Sequence, residues 1–232
     1  MNRQNNAAVR TDAVWKIFEQ EAEEVQAVRG VSLTIERGEF TAMAGPSGSG
    51  KTTLLNLIGG LTRATRGQVH VAGKELTAMS NRQLARVRLD QIGFIFQAYN
   101  LLPVLTAAEN AEFPLLLQGV DMSERRKRVH TLFGRTGLAG LEDRRPGKLS
   151  GGQQQRVAVI RAVVGEPALV LADEPTANLD SEASSQLLDM MEELNRELGT
   201  TFVFATHDPR VMDRAKRLVR LVDGTVASDE RR

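Results

Sequence analysis

Apolar residues follow two different rhythms along this chain. In four short segments they are almost continuous, as in strands covered on both faces of a sheet; these are residues 40–44, 92–96, 169–172 and 201–205. Elsewhere they recur every three or four positions, as on one face of a helix. The clearest case is Leu187, Met191, Leu194 and Leu198, followed by Gly199 as a helix stop. The alternation predicts an α/β fold with a mainly parallel central sheet and crossover helices.

The middle of the chain has helical patterns and no convincing strand. Residues 106–109, Thr-Ala-Ala-Glu, form a capping-box sequence that predicts a helix over residues 107–118, and a second helix is predicted over 153–164. We therefore expect one domain over residues 1–232, in which a helical subdomain at 98–164 separates two parts of a core, 12–97 and 165–232. Residues 1–11 are expected to form a flexible tail.

Composition narrows the picture. The chain has 232 residues, 41% of them apolar, which is enough for one substantial core, and its formal net charge of +1 gives no reason to expect a polyanionic partner. The basic run at Arg125–Arg128 has Val129 and Leu132 after it at helical spacing, so a solvated helix face is favoured over a nucleic-acid patch. The chain has no cysteine, which excludes disulfides and thiolate chemistry. It shows no signal peptide and no apolar run of membrane-spanning length, so we expect that it neither enters nor crosses a membrane alone.

A glycine-rich segment follows the first apolar run. Residues 45–52, Gly-Pro-Ser-Gly-Ser-Gly-Lys-Thr, match the pattern G-x-x-x-x-G-K-[ST], and a helical pattern begins after them. Glycines let backbone N–H groups point at phosphate oxygens, and the helix N-terminus adds partial positive charge. A chance Gly/Ser turn before a lysine is the weaker alternative, because the strand, loop and helix context is complete. The residues expected to bind the nucleotide here are Gly45, Pro46, Ser47, Gly48, Ser49, Gly50, Lys51, Thr52 and Thr53, with the Thr52 hydroxyl as a Mg²⁺ ligand.

Two acidic residues end a later apolar segment. Asp173 and Glu174 follow residues 169–172, and in parallel sheets ligands collect at the carboxyl ends of strands. Asp173 is expected to hold Mg²⁺ through its hydration shell, and Glu174 to orient and polarise the attacking water. Alone, such a pair is more often a solvated strand end; the phosphate loop in the same chain reverses that preference.

Two further polar residues directly follow apolar strands. Gln97 comes after residues 92–96 and His207 after residues 202–206. We expect Gln97 to contact both Mg²⁺ and the attacking water, and His207 to contact the γ-phosphate. Each alone is more often a surface residue, and the prediction depends on four strand ends that all carry phosphate-competent groups.

A second glycine turn lies about a hundred residues after the first. Ser150, Gly151 and Gly152 precede the helix predicted at 153–164, so a serine hydroxyl and free N–H groups form a second anion site. A plain N-cap is the alternative, but an N-cap does not need two consecutive glycines. This site has neither lysine nor metal ligand, so it is not a second complete nucleotide site.

The order of these motifs resembles the nucleotide-binding subunit of an ATP-binding cassette (ABC) transporter. The segments are "GPSGSGKT", "LSGGQ" and "LVLADE", with Gln97 between the first two and His207 after the last. The resemblance implies a P-loop NTPase fold of the ABC type with an N-terminal antiparallel β part. It also implies an ATPase that uses ATP and Mg²⁺, and a head-to-tail dimer with two nucleotides between its subunits.

The resemblance assigns further residues across the dimer. Ser150, Gly151, Gly152 and Gln153 would act in trans on the ATP of the other subunit, and Asp180 would lie across the interface. Phe18 stands where the family places an aromatic residue that stacks on adenine, with Trp15 as a neighbouring alternative.

The finer resemblance is to the branch with macrolide exporters, the lipoprotein-releasing complex and the cell-division ATP-binding protein. The supporting residues are 38–61, 92–110 and 171–180; Ala177, where that branch more often has Gly, and residues 159–164 depart from its pattern. DNA-repair relatives would need coiled coils between the two glycine turns, and translation-associated relatives normally carry two cassettes. The chain is therefore expected to dimerise at the cytoplasmic face of a membrane and drive separate membrane subunits, which dock after Gln97. An ATP-driven mechanical regulator without cargo stays as the alternative.

Overall fold

The computed structural model describes residues 6–20 and 23–232. Its centre is a six-stranded sheet in the order β10-β9-β3-β8-β7-β6, in which every neighbouring pair is parallel except β10 with β9. Four of the five parallel strands, β3, β6, β7 and β8, are almost continuously apolar because they are covered on both faces, whereas β9 contains two arginines. Their bounds are β3 Phe40–Ala44, β6 Ile92–Ile95, β7 Leu169–Asp173, β8 Thr201–Thr206 and β9 Arg217–Val222, with β10 at Thr225–Arg231.

A second sheet of four antiparallel strands packs against the first. Its order is β2-β1-β4-β5, and its members are β1 Ala7–Gln20, β2 Glu23–Glu36, β4 Arg66–Val71 and β5 Lys74–Glu75. Apolar side chains such as Val28, Ile35 and Val71 are fully buried against α1 and the central sheet. Arg217 of β9 also ties the two sheets together, because its guanidinium donates to the carbonyl of Thr34 in β2 at 2.7 Å.

Seven α-helices complete the fold within the described residues. They are α1 Lys51–Ile58, α2 Asn81–Gln91, α3 Ala107–Leu117, α4 Met122–Arg135, α5 Gly151–Val163, α6 Ser181–Leu198 and α7 Pro209–Arg214. Residues 98–164 hold α3, α4 and α5, with a short 3₁₀ turn at Pro146–Lys148. Their apolar faces join the core through Leu115, Phe133 and Ile160. Among residues 6–20 and 23–232, no helix combines the length and apolar content that a bilayer crossing requires.

The predicted fold class is confirmed, and the largest differences from the sequence predictions are at the starts of β1 and α5. Residues 7–11, predicted as part of a flexible tail, belong to β1, where Ala8 and Val9 are fully buried; residues 1–5 of that predicted tail lie outside the described residues. Helix α5 begins at Gly151 rather than residue 153, because Ser150 is its N-cap. Both differences come from pairing or capping partners that apolar periodicity does not reveal.

Candidate functional site

The phosphate loop links β3 to α1 and requires glycine at both of its ends. A Cβ at Gly45 would lie 2.2 Å from the carbonyl oxygen of Leu221 in β9, and a Cβ at Gly50 would lie 2.3 Å from that of Ala27 in β2. Gly50 also has φ +94°, which side-chain-bearing residues rarely adopt. The loop backbone is therefore held directly against strands of both sheets.

The N-terminus of α1 is left free for an anion. Among the seven helices in the described part of the chain, only α1 has an N-cap without a side-chain hydrogen bond. Its first N–H groups and the positive end of its dipole thus face the loop. The buried Lys51 ammonium lies within the same loop and donates to the carbonyl oxygens of Gly45 at 2.8 Å and Pro46 at 2.9 Å. This arrangement suits a multiply charged phosphate.

Thr52 and Asp173 meet where β7 ends beside α1. The Thr52 hydroxyl donates to Asp173 Oδ1 at 3.0 Å. Burial raises the pKa of Asp173, with Glu174 adding to the rise and Thr52 opposing it. A nearby cation would therefore offset the unfavourable free energy of ionising this carboxyl group. Within the described residues, His, Cys, Asp and Glu do not gather in threes at a metal-binding spacing. Mg²⁺ prefers oxygen ligands, and phosphate and water oxygens usually complete its coordination shell. The hydroxyl of Thr52 and the carboxylate of Asp173 therefore fit this ion.

Glu174 occupies an unusual backbone position directly after β7. Its φ is +46°, a left-handed conformation that is uncommon for residues other than glycine, and its N–H donates to the carbonyl of Ala205 at 2.9 Å. Its carboxylate accepts three hydrogen bonds from the neighbouring strand end. His207 donates to Oε1 from its backbone N at 3.1 Å and from Nδ1 at 2.6 Å, and the Thr206 hydroxyl donates to Oε2 at 3.0 Å.

These bonds determine which atoms of the two side chains stay available for a ligand. Because Nδ1 of His207 faces a carboxylate, we assign the proton to that nitrogen, and Nε2 is then the ring atom that faces away from Glu174. Oε2 of Glu174 keeps acceptor capacity for a further donor such as water. The pair can therefore hold a water on one side and a ligand oxygen on the other.

A cleft of about 690 Å³ joins these groups. The phosphate loop forms one wall, and Gln97, Glu174 and His207 form another. At the far end lies Phe18, whose side chain is 39% exposed, with the Lys16 ammonium 4.7 Å from the ring centroid. Trp15, the alternative aromatic residue, packs instead over Gly30. The cleft is large enough for a nucleotide and offers an aromatic face at one end and phosphate donors at the other.

The residues predicted to act in trans lie outside this cleft. Ser150 caps α5: its hydroxyl accepts from the N–H of Gln153 at 3.3 Å, while the Gln153 side chain accepts from the N–H of Ser150 at 2.9 Å. The N-cap predicted as the alternative is thus present, yet the Ser150 O–H remains able to donate to an anion, because a hydroxyl donates and accepts at once. Asp180 similarly caps α6 by accepting from the N–H of Ala183 at 2.8 Å.

Several residues at the site escaped the sequence analysis. Val25 lines the cleft because it pairs with Phe18 across the β1–β2 hairpin, a long-range relation with no local signal. Asp208 had a signal, since an Asp before a Pro marks a helix start. It accepts from Thr176 at 2.6 Å and from Arg210 at 2.8 Å, which ties the segment after Glu174 to the segment after His207.

Comparisons with known proteins identify similar sequences and a similar fold. The sequence profile described as "ABC transporter" matches residues 28–177. The lipoprotein-releasing system ATP-binding protein LolD of Anaeromyxobacter dehalogenans is 49% identical over 203 residues, which are 87% of this chain and 85% of that protein. The macrolide export ATP-binding/permease protein MacB of Hyphomonas neptunium is 48% identical over 206 residues, which are 89% of this chain but 32% of that longer protein.

A solved structure is similar over nearly the whole fold. It is the dimeric ATP-binding cassette MJ0796 in a post-hydrolysis state bound to ADP and Pi. Its TM-score is 0.88 at 40% identity, and the match covers 96% of this chain and 98% of that one.

Proposed function

This chain belongs to the ABC transporter family as an ATP-binding cassette, and from that premise we propose that two copies close around two ATP molecules to drive separate membrane subunits. The cassette is an ATPase whose cofactor is Mg²⁺. The transporter type that we propose is export, or extraction of lipoproteins or lipids, as in the relatives LolD and MacB. Its place of action would be the cytoplasmic face of a membrane, reached through the partner subunits.

One observation carries the dimer. The cleft is lined by the phosphate loop, Thr52 and the Glu174–His207 pair, whereas Ser150–Gln153 and Asp180 lie at helix N-termini outside it. The uncommitted O–H of Ser150 and the N-terminus of α5 form an anion site with no cation of its own. In our proposal a second copy, arranged head to tail, supplies the missing phosphate. The similar cassette MJ0796 is described as dimeric and bound to ADP and Pi, which supports this proposal.

Each residue then has a defined task. The loop N–H groups and Lys51 hold the β- and γ-phosphates, and Phe18 stacks on the adenine. Thr52, Asp173 and Gln97 would hold Mg²⁺, which would supply positive charge beside the phosphate oxygens. Glu174 orients the attacking water through the free acceptor position on Oε2, and His207 turns Nε2 towards the γ-phosphate. Because His207 also donates to Glu174, loss of the γ-phosphate changes the hydrogen bonding of both side chains.

The membrane subunits would dock next to Gln97. A groove of about 350 Å³ lies between the core and the helical subdomain and is lined by Phe94, Phe96, Phe113 and Leu117 together with two arginines. Val104, in the segment after Gln97, is 73% exposed although it is apolar. An unpartnered apolar surface beside the site suits a cytoplasmic loop of a membrane protein.

Glu174→Gln tests this proposal. Without a base at this position, ATP turnover should fall by about 10²- to 10⁴-fold. Binding should persist, because the amide keeps the shape of the side chain and its oxygen still accepts from His207. Uncleaved ATP should then accumulate in the closed state, so size-exclusion chromatography with light scattering should show a dimer with ATP and a monomer without it.

The matched control is Glu193→Gln, the same chemical change on the exposed side of α6. It should keep the activity of the unaltered chain and show no ATP-trapped dimer. Near-normal turnover of Glu174→Gln would show that Glu174 does not orient the attacking water. If Glu174→Gln stayed monomeric at saturating ATP, the proposed shared site would be contradicted.

A further inference from the structure

The turn that follows Gln97 is held in a conformation that its residues disfavour. Tyr99 and Asn100 have φ values of +55° and +51°, two consecutive left-handed residues of which neither is glycine. Such a turn persists only when surrounding contacts determine it. Those contacts come from two other parts of the chain.

Arg161, in the last turn of α5, supplies the main contact. Its guanidinium donates from Nη2 to the carbonyl of Tyr99 at 2.8 Å and from Nη1 to that of Asn100 at 2.6 Å. Burial lowers the pKa of Arg161, so these two bonds offset an unfavourable desolvation. Asn178, between β7 and α6, donates to the carbonyl of Gln97 at 2.8 Å. The backbone of the turn is thus fixed by α5 and by the segment that leads to Asp180.

The Tyr99 ring reaches from this turn to the start of α5. A Cβ built on Gly151 would lie 2.9 Å from the Tyr99 hydroxyl oxygen, closer than real Cβ contacts come. A Cβ built on Gly152 would meet only the Ala183 side chain, at an ordinary 3.5 Å. The two glycines therefore differ, because only a methyl group on Gly151 would require the Tyr99 hydroxyl to shift.

The same turn borders the apolar groove. Asn100 and Arg161 are both part of its lining, so a loop seated in the groove touches the residues that hold Tyr99 in place. A continuous path of contacts then runs from the groove through Arg161 and Tyr99 to Gly151. It ends on the helix start whose Ser150 faces outward.

We propose that Tyr99 is a positioning residue for the segment Ser150–Gln153, with its hydroxyl seated against Gly151 and its backbone held by Arg161. The inference rests on the proposed function, because Ser150–Gln153 act on ATP only when a second copy is present.

A rescue experiment on the full chain tests the contact. Gly151→Ala places a methyl group against the Tyr99 hydroxyl and should lower kcat/KM for ATP hydrolysis by about 5- to 50-fold. The affinity of the monomer for a fluorescent ATP analogue should stay the same, since its own phosphate loop is unaltered. Adding Tyr99→Phe to Gly151→Ala removes the clashing oxygen and should restore at least about fivefold of the loss, as coupled neighbours do.

Gly152→Ala is the matched control, because its methyl group does not approach Tyr99. Tyr99→Phe should leave the activity of Gly152→Ala unrescued. Three results would each overturn the proposal. The first is a loss of activity in Gly151→Ala that Tyr99→Phe does not restore. The second is unchanged activity in Gly151→Ala, and the third is equal restoration of both alanine variants by Tyr99→Phe. Thermal melting of every variant confirms that the comparison is between folded proteins.

The two proposals fail in different ways. If Glu174→Gln forms its ATP-dependent dimer while the rescue fails, the shared site stands and the role of Tyr99 is refuted. If Glu174→Gln stays monomeric with ATP, the shared site itself is wrong.

Discussion

Arg217 is the best place to test how the two sheets are held together. Its guanidinium donates to Asp229 at 2.8 and 2.7 Å, to Glu39 at 2.8 Å and to the carbonyl of Thr34 at 2.7 Å. Its own side chain is 7% exposed. Arg217→Met keeps most of the apolar stem and removes all four bonds. Asp229 and Glu39 then lose the guanidinium to which both are bonded.

The size of the effect follows from the exposure of those acids. Breaking a buried ion pair costs about 3–5 kcal/mol. Here Asp229 is 37% exposed and Glu39, at 16%, keeps Arg231 as a second partner at 3.0 Å, so water and that arginine soften the loss. We therefore expect Arg217→Met to lower the free energy of unfolding by about 2–3 kcal/mol, a fall of about 5–10 °C in Tm for a chain of this size.

Urea unfolding followed by circular dichroism measures this change. The midpoint should fall while the slope m stays the same, because the surface exposed on unfolding barely changes. Arg220→Met is the matched control: Arg220 lies on the same strand with its side chain exposed, so its loss should change stability by less than about 0.5 kcal/mol. Equal small effects of the two substitutions would refute the reasoning.

The effect should also depend on pH in one direction. Hydrogen bonding from Arg217 lowers the pKa of Asp229 below its ordinary value. An acid with a depressed folded pKa stabilises the protein above its unfolded pKa of about 3.9 and loses that contribution as pH falls through the folded pKa. The difference between the unaltered protein and Arg217→Met should therefore be larger at pH 7 than at pH 3, and a gap that widens in acid would count against the ion pairs.

Two further outcomes are expected. Phe18→Ala should weaken ATP binding by about 5- to 50-fold in a fluorescence titration, whereas Phe18→Trp should keep the affinity, because stacking needs only an aromatic face; equal losses in both would argue against stacking. Asp173→Asn should make the nucleotide-free protein more stable at pH 7, because burial raises the pKa of Asp173 and the stability tied to its protonated form is lost as pH rises above about 4. Thermal melts between pH 4 and 7 check this, and a Tm advantage that disappears towards pH 7 would contradict it.

The parts of the site that could be predicted from the sequence are those formed by residues adjacent in the chain. The phosphate loop, the acidic pair after β7 and the capping residue Ser150 each combine a short motif with the strand or helix beside it. Their residues could therefore be named before their contacts were known, although their roles stay predictions. The fold class was predictable for the same reason, because continuous apolar runs identify central strands.

The remaining parts depend on residues that are distant in sequence. Val25 reaches the cleft only through hairpin register, and the close approach of Gly151 to the Tyr99 hydroxyl involves a residue in another segment. The burial of Ala8, Val9 and Thr11 likewise follows from pairing of β1 with β2 and β4. Periodicity within one segment has no information about such partners.

The attachment of the phosphate loop to both sheets has a thermodynamic consequence. Gly45 and Gly50 sit against backbone carbonyls of β9 and β2, and the N–H of Gly224 donates to the carbonyl of Ser49 at 3.1 Å. A loop already confined in this way loses little conformational entropy when ATP arrives. The free energy of nucleotide binding is then left for the larger movements that follow, rather than being consumed in ordering the loop.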